Sequence, residues 1–99
     1  MKSKQVVLSP GAKKGLENLL NYLETEWSKK VKSDFVKKLD KAINQISLQP
    51  LSGKKTKKKR GVYQIVVTEQ TSFYYRIDAD EIQIIAIEDN RKNPKKLEL

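Results

Sequence analysis

The chain of 99 residues contains no cysteine and no histidine. The first absence excludes disulfides and thiolate metal centres. The second removes the usual general base, the commonest metal ligand and the side chain that switches charge near neutral pH. Ser-His-Asp and Cys-His catalysis are therefore excluded, and neither a metal site nor a cofactor is expected. Long apolar runs are also missing. Nothing approaches the ~20 residues of a membrane span, and residues 1–8 lack the apolar core of a signal peptide. The expectation is a cytoplasmic protein with no membrane partner.

What is abundant is positive charge. Lys and Arg number 21 against 12 Asp and Glu, a formal net charge of +9. Such an excess speaks of partners rather than fold, and nucleic acid or an acidic protein would suit it. The length suits one domain spanning residues 1–99. A chain of this size can bury a core of its own without staples.

Gln5 to Leu8 reads as a short strand. Ser9 and Pro10 then form a helix start, the hydroxyl as cap and the proline where no N–H is needed. Ala12, Leu16, Leu19, Leu20, Leu23 and Trp27 follow at steps of three and four, one apolar stripe of a helix. Trp27 is expected to pack in the core or in the helical hairpin. Ser28 to Lys30 is a break. Val31, Phe35, Leu39, Ala42, Ile43 and Ile46 repeat the helical spacing, and Pro50 stops the second helix near Gln49. Two such helices form a helical hairpin.

Pro50 to Lys59 mixes Pro, Gly, Ser and Thr with lysine and reads as a loop. From Val62 to Thr68 the chain is rich in β-branched residues, a second strand. A turn at Glu69-Gln70-Thr71 leads to a third strand, Ser72 to Ile77. Phe73, Tyr75 and Ile77 share one face of it, and Tyr74 and Arg76 the other. After a turn at Asp78 to Asp80, Glu81 to Glu88 is apolar on both faces, so it should be a central strand. The expected fold is α+β, β-α-α-β-β-β. Its antiparallel four-stranded sheet has the order 2-3-4-1, with the helical hairpin on one face. Tyr63, Tyr74 and Tyr75 should divide between core and sheet surface.

Lys54, Lys55, Lys57, Lys58, Lys59 and Arg60 put six positive charges into seven residues, and Arg91, Lys92, Lys95 and Lys96 add four. A lysine run alone is ordinarily a solvated loop. In the expected sheet, however, both clusters lie at the same end and Arg76 lies on the adjoining face. That convergence points to an anionic ligand, which nucleic acid, bound with counterion release, and an acidic protein segment would serve equally well. Glu88 and Asp89 beside Arg91 suggest a local ion pair.

Four stretches carry a resemblance over nearly the whole chain: VVLSPGAKKGLENLLNYLE, FVKKLDKAINQISLQP, IVVTEQTSFYYRID and IIAIEDNRKNPKKL. The last two are the most specific, with a YYRI strand followed by an I-x-D-x-R-x-N-P ending. In these the chain resembles the RelE/ParE superfamily of type II toxin–antitoxin toxins, the plasmid stabilisation proteins in particular. The resemblance implies the same β-α-α-β-β-β fold and a small cognate antitoxin as partner. It implies one of two targets. RelE-like members cleave mRNA on the ribosome without a metal, using arginines, lysines and a tyrosine or histidine. ParE-like members inhibit DNA gyrase.

Carried over by position, Arg91 matches the basic residue that nuclease members keep after the last strand. Arg76 follows the strand tyrosine, and Lys59 and Arg60 match the basic start of the second strand. Tyr63 stands where many relatives have an arginine, and no histidine or tyrosine follows Arg91. A cleaving enzyme would therefore use Arg60, Arg76 and Arg91 on the phosphate and Tyr74 or a lysine as acid. Lys54 to Arg60, Lys92, Lys95 and Lys96 would hold nucleic acid. The expectation is a toxin acting by ribosome-dependent mRNA cleavage. The alternatives are a gyrase-inhibiting toxin that is no enzyme and a non-toxic basic nucleic-acid-binding module.

Overall fold

In the computed structural model, residues 4–57 and 59–90 are described. Strand β1 (Gln5–Leu8) leads into helix α1 (Pro10–Tyr22). The Ser9 hydroxyl accepts from the Ala12 N–H at 3.1 Å, the cap expected from the sequence. The helix then widens into a π turn, Leu23–Trp27, closed by the Ser28 N–H donating to the Leu23 carbonyl at 2.9 Å. The Thr25 hydroxyl donates back to the Asn21 carbonyl at 2.8 Å. Ser28 is extended and caps helix α2 (Lys29–Leu48) by accepting from the Val31 N–H at 3.0 Å. One extended residue thus does the work of the expected three-residue break.

Pro50–Ser52 forms a single 3-10 turn, and Lys54–Lys55 forms strand β2. Strands β3 (Tyr63–Val66), β4 (Thr71–Ile77) and β5 (Glu81–Asp89) follow. The five-stranded sheet has the order β1-β5-β4-β3-β2. The α+β class, the helical hairpin and the neighbours of β5 are as expected. Two details are corrected. The sheet has a fifth strand, β2, where a loop was expected. It is also mixed rather than antiparallel, because β1 runs parallel to β5. The two corrections have one cause. In a β-α-α-β-β-β chain whose elements each reverse direction, the first strand opposes the last, and β2 adds one reversal before β3. The parity of the count flips, and β1 ends up parallel to the last strand.

The apolar stripes of both helices meet one face of the sheet. Leu19, Leu23, Phe35, Leu39 and Ile46 pack with Ile65, Phe73, Tyr75, Ile82 and Ile84 in one core. Each fully buried side chain of this size contributes roughly 1.5–3 kcal/mol of transfer free energy, most of it offset by chain entropy.

The apolar pattern of β5 has a different origin from the one inferred. Tyr74 pairs with Ala86 but Tyr75 pairs with Ile84, so Ile85 is the extra residue of a β-bulge. The bulge exchanges the faces along the strand. Ile82 and Ile84 point to the helices before it, and Ile87 packs on the same core after it. The run EIQIIAIE is thus one apolar face interrupted by a change of parity.

Candidate target-binding face

Register places the residues of the second sheet face, the one turned away from the helices. One rung joins Lys54, Gln64, Tyr74 and Ala86 across β2, β3, β4 and β5, and the next joins Arg76, Gln83 and Val7. Lys54, Tyr74 and Arg76 therefore share a face, as the alternation along β4 implied. Lys54 and Arg76 are exposed. Tyr74 is buried, only 1% exposed, and its hydroxyl donates to Glu88 Oε1 at 3.1 Å. Lys55 lies on the opposite face, opposite Tyr63. Lys57, Lys59 and Arg60 are exposed in the connection from β2 to β3. Lys58, Arg91, Lys92, Lys95 and Lys96 lie outside the described residues.

The expected convergence of the two basic clusters turns on Arg91 to Lys96, which lie outside the described residues; the strand directions behind it are corrected. β3 and β5 are both antiparallel to β4 and so parallel to each other. The connection that carries Lys57 to Arg60 enters β3 beside Tyr75 and Ile84, whereas β5 ends at Asp89, paired with Thr71. The chain leaves the sheet at the end opposite the Lys57–Arg60 connection. Two strands flanking a common antiparallel neighbour run alike, so the start of one and the finish of the other lie at opposite ends of the sheet.

Other groups were not anticipated. Tyr75 and Tyr63 stack across the β3–β4 rung, with ring centroids 5.6 Å apart and planes 22° apart. The Tyr75 hydroxyl donates to the Pro50 carbonyl at 2.7 Å and accepts from the Gly53 N–H at 3.0 Å, which ties the 3-10 turn to the sheet. A methyl group at Gly53 would overlap that hydroxyl and stand 2.8 Å from the Gln64 carbonyl oxygen, so glycine is required there by space. Burial pushes the Tyr75 pKa above its ordinary value. The Gly53 hydrogen bond opposes the shift and Tyr63 adds to it. Asp89 is buried and accepts a hydrogen bond from the Thr71 hydroxyl. Trp27, expected to be packed, is 53% exposed at the end of the π turn.

One ion pair is found among the described residues, Glu24 with Lys32 at 2.9 Å. The hydrogen bond and charge of Lys32 hold the Glu24 carboxyl below its ordinary pKa. No group of three or more His, Cys, Asp or Glu that could hold a metal ion occurs among the described residues, and no described helix is long and apolar enough to cross a membrane. The face can thus offer exposed cations and amides to an anionic or polar partner.

Comparison with known proteins places this arrangement. No curated protein matches the chain in sequence. Among solved structures it is similar to a chain of the chromosomal ParDE toxin–antitoxin system from P. aeruginosa, with a TM-score of 0.73 at 14% identity, covering 88% of this chain and 96% of that one. It is also similar to the YoeB/ParE toxin from Agrobacterium tumefaciens, with a TM-score of 0.62 at 15% identity, covering 86% and 96%. A third likeness is to a chain of the E. coli DinJ-YafQ toxin–antitoxin complex, with a TM-score of 0.60 at 8% identity, covering 91% and 96%. These likenesses establish the shared fold. The model of the family described as "ParE toxin of type II toxin-antitoxin system, parDE" matches residues 6–94. The chain belongs to this ParE toxin family and is the toxin component of a type II toxin–antitoxin system.

Proposed function

We propose that this toxin acts by binding, with DNA gyrase as its target, and that a small cognate antitoxin silences it in the cytoplasm. The observation that carries the reading is the state of Tyr74. Cleavage of RNA by its own 2′-hydroxyl needs a base for that hydroxyl and an acid for the leaving oxygen. Tyr74 is the tyrosine beside Arg76, and it is buried with its hydroxyl given to Glu88. It is poorly disposed to reach a leaving group. Lys54, Arg60 and Arg76 remain exposed and suited to contacts with phosphates or carboxylates. The family match to ParE toxins favours the same side. The antitoxin follows from the family and from relatives solved as toxin–antitoxin complexes.

The competing reading, ribosome-dependent cleavage of mRNA, draws on two guanidinium groups exposed among the described residues, Arg60 and Arg76, which suit a scissile phosphate. Induced expression separates the two. Binding to gyrase should relax plasmid supercoiling and leave mRNA ends intact, and Tyr74→Phe should retain toxicity. Cleaved mRNA with normal supercoiling would overturn the proposal. So would loss of toxicity in a folded Tyr74→Phe protein, since removing a general acid costs about 10²-fold or more in rate.

A further inference from the structure

A second site lies on the opposite side of the sheet edge and shares only Arg60 with the cations just described. Between β2, the start of β3 and their connection is a cleft of about 390 Å³, lined by Lys55, Thr56, Arg60, Gly61, Val62 and Tyr63. Its size is at the lower end of the roughly 300–1,000 Å³ of small-ligand sites, suited to one nucleotide rather than a folded element. The connection turns at Gly61, whose φ of +76° lies in the left-handed region. The Thr56 N–H donates to the Val62 carbonyl at 2.9 Å and the Val62 N–H to the Lys59 carbonyl at 3.3 Å, so the wall is a hydrogen-bonded turn.

The chemistry of the lining is specific. Tyr63 provides an aromatic ring. Tyr75 stacks beside it on one side, and Lys55 is its cross-strand neighbour on the other, toward the sheet edge. Lys55 and Arg60 are cations with exposed side chains, Thr56 brings a hydroxyl, and no acidic residue is among the described lining. A flat ring beside two cations matches one nucleotide unit, the base stacked on the ring and the phosphate held by the cations. A duplex keeps its bases stacked on one another, so only an unpaired base can enter.

We infer that this cleft binds a single unpaired nucleotide, its base on Tyr63 and its phosphate between Lys55 and Arg60. The cleft lies on the other side of the sheet edge from Tyr74 and Arg76 and shares only Arg60 with the residues assigned to the target, so the Tyr63 variants test it separately from that reading.

The test is an NMR titration of the full-length protein with AMP, adenosine and inorganic phosphate. AMP should shift the amide signals of Thr56, Gly61 and Tyr63 and bind more tightly than either fragment. Tyr63→Leu, which keeps apolar bulk beside Tyr75, should weaken AMP binding by about 5- to 100-fold, the usual range for a lost stacking partner. Tyr63→Phe should retain binding, and Arg60→Gln should weaken AMP and phosphate alike. The spectrum of each variant reports its fold. The inference is overturned if phosphate binds as tightly as AMP, if Tyr63→Leu leaves affinity unchanged, or if the shifts fall elsewhere. Short single-stranded RNA, single-stranded DNA and duplex then identify the source. A Tyr63-dependent preference for either single strand supports the site, and equal binding of duplex overturns it.

Discussion

Tyr75 shows how much one side chain connects. Its ring lies in the core against Phe73, with centroids 6.2 Å apart, and against Tyr63, while its hydroxyl holds both ends of the segment from Pro50 to Gly53. Tyr75→Phe keeps the packing but leaves a part-buried N–H and carbonyl without their partner. A loss of about 1–3 kcal/mol is expected in urea unfolding. A pH dependence should accompany it. The folded-state pKa of Tyr75 is raised, so the neutral hydroxyl is favoured in the native protein. That contribution is fully present below the unfolded tyrosine value near 10 and is lost as pH rises through the folded value. Wild-type stability should therefore fall more steeply above about pH 10 than that of Tyr75→Phe. Identical alkaline slopes would show that Tyr75 is not responsible. No pattern in the sequence announced this residue, because Tyr75 and Gly53 are 22 positions apart and meet only through strand pairing.

Among the elements, the helices were legible and the sheet was legible only in part. Helical signals are local. Ser9 with Pro10, Ser28, Pro50 and the three-four spacing of apolar residues act within one or two turns of themselves. Strand β2 has two lysines and no periodicity, and it exists because β3 offers an edge to pair with. The bulge at Ile85 was also hidden, since a run of four apolar residues fits several parities. It makes a sharp expectation. Strict alternation from Ile82 would turn Ala86 to the helices, whereas the bulge turns Ile87 there. Ile87→Ala should cost about 2 kcal/mol, toward the lower end for a partly buried isoleucine. Ala86→Ser should stay within about 0.5 kcal/mol. The reverse ranking in denaturant unfolding would require a strand without the bulge.

For the molecule as a whole, the charge dominates. A formal +9 places the native state under self-repulsion. Raising salt from about 10 mM to 150 mM shortens the screening length from about 30 Å to about 8 Å. The melting temperature should rise over that range, while affinity for any polyanionic ligand falls. A melting temperature that is flat or falling would mean that the positive charges are already compensated within the fold.

The α+β class, both helices, the Ser9 cap, the faces of β4 and the family were legible in the sequence, because those rest on short-range periodicity and on motifs read in a line. The Ser28 cap, the direction of β1 against β5, the bulge, the burial of Tyr74 and the Tyr63–Tyr75 stack came from the folded chain alone. It also separated the β2–β3 connection from the end of β5, which the sequence reading had brought together. All but the cap depend on the pairing of segments distant in the chain. A single added strand or residue reverses a direction or a face there without leaving a periodic trace.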